Sequence, residues 1–258
     1  MNSKNFQKTK KLVTVAMFAA LAYGVAAICF LLPKVSGFLS LDIKDSIIVL
    51  CSLIFGPLSG FSIAVIVPVL ELVTGFSATA LYGLIMNILS SVTFSLVTGL
   101  IYKHKRSFYG AIIALVAGVF SVTAVMILAN LVVTPLYLTF IGKDVGVGEV
   151  IRAIFTASQN ATGSTAETRG EVIRNSNSVV KMIPTILLPF NFTKATLNAA
   201  IVLLLYKPLS NVLKATKMIE YELGDKRENK FNTRSLIVTL VAISIIVVAL
   251  CVIFFVLK

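Results

Sequence analysis

The chain contains no tryptophan, a single histidine and three cysteines, and only 13% of its 258 residues are charged. Each scarcity removes a class of protein. The cysteines, Cys29, Cys51 and Cys251, all lie in apolar stretches, so they read as small core or lipid-facing residues, not as a disulfide framework or a metal site. His104 sits in the basic loop Lys103-His104-Lys105-Arg106, where a solvated loop residue is expected rather than a catalytic or ligating one. There is no Walker phosphate loop, no HExxH zinc motif, no GxSxG elbow and no paired-acid constellation within a helix. Gly146-Val147-Gly148 is too short for a dinucleotide fingerprint. No enzyme is expected, and no cofactor or metal.

Apolar residues make up 57% of the chain, with a mean hydropathy of +0.96. A soluble domain of this size cannot hide so much apolar surface. Several runs reach the roughly 20 residues needed to cross a bilayer, and they are continuous rather than alternating, which excludes a β-barrel. The expected class is all-α: a polytopic membrane helical bundle. The net charge of +12 needs no nucleic acid, because the basic residues cluster at segment ends as the positive-inside rule requires. That rule puts the N-terminus in the cytoplasm of a multi-pass cell-membrane protein, with the first apolar run retained as a helix rather than removed as a signal peptide.

Seven crossings are expected. The first helix covers about 12–32 and stops at Pro33. A short helix over 46–55, capped by Asp42 or Asp45, and a third ending near Val73 form a tight hairpin around Gly56-Pro57. The fourth covers about 78–102 and the fifth 109–140, with a break near Pro135. Residues 142–181 differ in character: a centre rich in Ser, Thr, Asn and Gly predicts a flexible extracytoplasmic insertion, either a lid or inert. The sixth helix is expected over 183–206. The main membrane domain is thus 1–214, followed by a charged cytoplasmic connector, 215–234, and an additional transmembrane helix, 235–257, that leaves the C-terminus outside.

Within the sixth apolar run, Asn191, Lys194 and Asn198 fall on one helix face at spacings of three and four. A lysine inside a membrane helix normally faces the bundle interior or a watery cavity. Counted back from Tyr206, Lys194 lies about 18 Å deep in a core about 30 Å thick. Glu71, Asn87 and Asn130 fall at similar depth in three other helices, so polar side chains converge in the outer half, as around an outward-opening pocket. Two other readings stand beside this one. The asparagines are also the residues that hydrogen-bond helix to helix. Lys194 could pair with Glu71 as a structural bridge, or Glu71 could reach interfacial water. The first helix is unusually small-sided, and Ala16/Ala20 and Ala22/Ala26 are small-xxx-small pairs that permit close approach of another helix, inside or outside the chain.

Three stretches resemble the substrate-binding S components of energy-coupling factor (ECF) vitamin transporters, most closely the riboflavin-specific branch. They are the alanine-spaced helix 11–23; Leu41-Asp42-Ile43-Lys44-Asp45 followed by 54–60; and Pro189-Phe190-Asn191-Phe192-Thr193-Lys194 through 205–209. Asn130 followed by Thr134-Pro135-Leu136-Tyr137 also fits that branch. The resemblance spans about 10–141 and 181–214. It implies a six-helix S-component core with a vitamin pocket near the outer face, covered by the loop between the first two helices. It implies a riboflavin-capturing subunit in which Asn130 and Lys194 hydrogen-bond the flavin. Asn191, Asn87 and Glu71 are added to the ligand-binding set from depth and helix face alone. It implies partners: an ECF transmembrane coupling protein, met by Ala16 and Ala20, and two ATPase subunits on other chains. The insertion and the seventh helix depart from the family pattern. The alternatives are an S component for another vitamin or precursor, such as pantothenate or a deazapurine, a stand-alone secondary transporter, or a membrane enzyme acting on lipids. The transporter would need more intramembrane acids than Glu71 and often an inverted repeat, and none is evident.

Overall fold

The computed structural model describes residues 3–32, 39–76, 80–140, 174–175 and 177–215. The expected seventh helix, the connector and most of the polar insertion lie outside the described residues. Within them the regular elements are helical: α1 (Ser3–Phe30), α2 (Lys44–Phe55), α3 (Pro57–Val73), α4 (Ala80–His104), α5 (Phe108–Phe140) and α6 (Leu188–Ala215). A π-helical stretch, Ile183–Leu187, leads into α6. Four segments are long and apolar enough to cross a membrane: Phe6–Phe30, Leu81–His104, Phe108–Pro135 and Asn177–Val212. The molecule is a polytopic membrane helical bundle.

The short helix α2 is the centre of the bundle. Its 12 residues rise about 18 Å, too little to span the hydrocarbon core. Ten of them are buried, because α1, α3, α4 and α6 all pack against it. It stops at Gly56, whose φ of 98° suits a residue without a Cβ, and α3 starts at once on Pro57, whose fixed φ suits a first helical position. The expected hairpin is therefore present. Gly60 of α3 and Gly99 of α4 both press on Ser52 of α2, so three backbones meet at close range around one hydroxyl, which donates to the Ser95 carbonyl at 2.7 Å. Small residues take this role in membrane interfaces because lipid supplies no hydrophobic force between helices.

Several boundaries differ from expectation. α1 begins at Ser3 rather than near residue 12, because the lysine- and glutamine-bearing segment before the apolar run is composed of adequate helix formers. α2 begins at Lys44 with Ile43, not an aspartate, at the cap position; Asp42 instead accepts the Lys44 amide at 2.9 Å. α5 is unbroken through Pro135, since a transmembrane helix tolerates one lost backbone bond when neighbours and side chains compensate. The helix entering α6 is already formed at Asn177, within the C-terminal end of the expected polar loop, and α6 itself runs on to Ala215.

Candidate functional site

A cleft of about 810 Å³, counting its open mouth, lies among the ends of α1, α3, α4 and α6 and the segment just before α2. Apolar and aromatic side chains make up about half of its wall, among them Phe30, Phe76, Tyr82, Met86, Met126 and Phe190. Phe30 and Phe76 meet edge-on with centroids 5.6 Å apart, and Tyr82 stacks on Tyr137 at 4.3 Å. Leu39 to Asp42 line one side, so the loop after the first helix contributes to the cleft as the resemblance implied. Leu39 also packs with Val179, Leu187 and Phe190, tying that loop to the entry of α6.

The polar lining consists chiefly of Asp42, Glu71, Asn87, Asn191 and Lys194. Four of the five expected ligand residues are thus brought together. Asn191 is buried and donates to the Leu187 carbonyl at 2.8 Å. That carbonyl lies at the end of the π-helical stretch, where the widened turn alters the i→i−4 ladder; such bulges are frequent at functional sites. Pro184 was the sequence signal for it. Lys194, half-buried one turn further on, reaches the cleft wall from the same helix. Asn198, on the same stripe, is a helix–helix tie. Its Oδ1 accepts the Ser46 amide at 2.8 Å, and its Nδ2 donates to the Asp42 carbonyl at 2.9 Å.

Asn130 is placed differently. It is fully buried, donates to the Met126 carbonyl at 2.6 Å and accepts from Thr134 Oγ1 at 2.8 Å, and it is not among the cleft-lining residues. Its connection to the cleft is relayed: Thr134 Oγ1 is 3.0 Å from the hydroxyl of Tyr82, which does line it.

The alternative in which Lys194 bridges Glu71 is overturned. Glu71 Oε1 lies 2.7 Å from the Lys44 ammonium, and Oε2 accepts from Lys44 at 3.0 Å and from Asn87 Nδ2 at 3.0 Å. Lys44 also forms an ion pair with Asp42. Glu71 is buried, not at interfacial water, because it belongs to this Asp42–Lys44–Glu71–Asn87 cluster. Sequence reading missed the cluster by taking Asp42 and Asp45 for helix caps. The available signal was three charges within four residues immediately before an apolar run. A buried lysine between two carboxylates, one of which also accepts from the Asn87 amide, is a rigid, hydrogen-bonded floor. With the aromatic walls it makes a pocket suited to a flat, largely neutral heterocycle with a few polar edges.

Ala16 and Ala20 are exposed on α1, and Gly24 continues the same stripe with nothing within 4 Å of where a Cβ would stand. Ala22 and Ala26 face inward and are buried. The two small-residue pairs of the helix therefore serve different faces.

Comparisons with known proteins agree on one family. Residues 10–206 match the family described as ECF transporter, substrate-specific component. The riboflavin transporter RibU of Staphylococcus aureus (strain TCH60) is 28% identical over 211 residues, 81% of this chain and 95% of that protein. The riboflavin transporter FmnP of Bacillus subtilis (strain 168) is 30% identical over 136 residues, 52% of this chain and 72% of that protein. A solved S component of a bacterial ECF transporter superimposes with a TM-score of 0.54 at 25% identity, covering 80% of this chain and 99% of the other.

Proposed function

The chain belongs to the substrate-specific components of ECF transporters, and from that membership we propose that it captures riboflavin for an ATP-driven vitamin importer. The observation that carries the reading is the cleft itself: aromatic walls around a small set of amides, a lysine and a neutralised carboxylate, at the place where the sequence stripe pointed. Two relatives named as riboflavin transporters support the choice of ligand. Lys194 and Asn191 meet polar edges of the flavin, Asn87 and Glu71 complete the floor, and Asn130 acts through Thr134 and Tyr82. With no tryptophan in the chain, ring contacts fall to Phe and Tyr.

The protein is a binding subunit and not an enzyme, holds no resident cofactor, and contains no nucleotide motif of its own. Energy therefore comes from two ATPases on other chains through a transmembrane coupling protein, which docks on the exposed Ala16 and Ala20 of α1. The N-terminus is cytoplasmic, residues 1–214 form the S-component domain, 215–234 a cytoplasmic connector and 235–257 a further transmembrane anchor.

The test is to purify the protein, identify any co-purified small molecule by absorbance and mass spectrometry, and titrate it with riboflavin. Saturable quenching of flavin fluorescence is expected. A well-folded preparation that carries no flavin and quenches none overturns the reading.

A further inference from the structure

Lys194 stands between two cavities. Besides the main cleft, it lines a narrow crevice, with room for about one water molecule, shared with Asp45, Ser90, Asn191 and Asn198. Asp45 is 3% exposed. Its carboxylate accepts from Ser91 at 2.5 Å and from Ser90 at 3.2 Å, and neither hydroxyl supplies charge. Among the described residues both ion pairs belong to Lys44, taken by Asp42 and Glu71. Asp45 and Lys194 are therefore the carboxylate and the ammonium left over from the buried cluster, and they face one small space. A lone charge in a low-dielectric interior is costly, and a lysine head on four rotatable bonds can serve two neighbouring cavities.

We infer that Asp45 balances the charge of Lys194 across this space in the empty protein without a direct ion pair, a positioning residue that holds the amine at the cleft wall until a ligand engages it. The ligand-dependent half of this rests on the flavin reading; the pairing does not. Capture is then a handover: the amine turns from the crevice it shares with Asp45 to an acceptor on the ligand in front of it, and returns on release.

A double-mutant cycle tests the pairing. In the ligand-free protein, Asp45→Asn leaves the half-buried Lys194 without its balancing charge and Lys194→Met leaves the buried Asp45 without one, and each lowers the unfolding temperature by several degrees. The double variant Asp45→Asn/Lys194→Met loses clearly less than the two added together. In riboflavin titrations Asp45→Asn weakens binding about tenfold in the natural background and less than twofold beside Lys194→Met. A merely structural role for Asp45, through Ser90 and Ser91, gives the same cost with or without Lys194, and additive losses overturn the inference. If Asp45→Asn fails to fold, recovery of folding in the double variant is the expected coupling, and failure of both overturns it. Should the natural protein bind no flavin, the capture reading falls, while the stability cycle still decides the pairing.

Discussion

Lys44 is 1% exposed, and its carboxylate partners come from two different elements, the segment before α2 and the end of α3. Removing one member of such a cluster leaves the others as uncompensated buried charges. Lys44→Met should therefore destabilise the protein by about 3–5 kcal/mol, read as a large fall in unfolding temperature in detergent with or without riboflavin. Exposed lysines such as Lys8 or Lys105 should give no measurable change on the same substitution. At this scale the site was half legible. Asn191 and Lys194 could be found because their spacing is a property of one helix. The partner of Glu71 could not, because Lys44 lies 27 residues away: three charges within 42–45 mark that segment as unusual but do not say which distant residue it pairs with. Asn130 was found by depth, but its rotamer spends its amide on Met126 and Thr134, which depth does not foretell.

The elements themselves followed from apolar run length, and their lengths erred at polar ends. The start of α1 and the entry to α6 carry polar residues that helical backbone accommodates at an interface, so hydropathy under-reads both. How the elements pack is set by small residues. A Cβ on Gly99 would stand 3.0 Å from the backbone Cα of Pro57 and closer still to the Ser52 hydroxyl, neither able to swing far. Gly99→Ala should cost roughly 1–3 kcal/mol by overpacking. Gly24→Ala, with nothing within 4 Å, should leave stability unchanged or slightly improved. Thermal unfolding of the two variants side by side checks the contrast, and equal losses would mean that helix propensity rather than contact governs both sites.

On the whole molecule, α1 has two small-residue faces: Ala22 and Ala26 are buried in the bundle, while Ala16 and Ala20, the proposed docking stripe, are exposed. Ala16→Leu and Ala20→Leu enlarge an exposed stripe away from the cleft. The double substitution should leave riboflavin affinity within about twofold in the purified protein and abolish uptake in cells carrying the coupling protein and ATPases. Unchanged uptake would move the docking surface elsewhere. The class of the molecule, a multi-pass helical bundle, was determined by sequence alone, because the need to satisfy every backbone bond in oil and to match bilayer thickness acts on each segment independently. Which buried charges neutralise one another was decided only in three dimensions. Asn198 ties the start of α2 across 152 residues, Lys44 reaches Glu71 rather than Lys194 doing so, and the short α2 becomes the best-buried helix. Electrostatic pairing in a low dielectric depends on a few ångströms of separation between distant segments, and no periodicity along the chain encodes that distance.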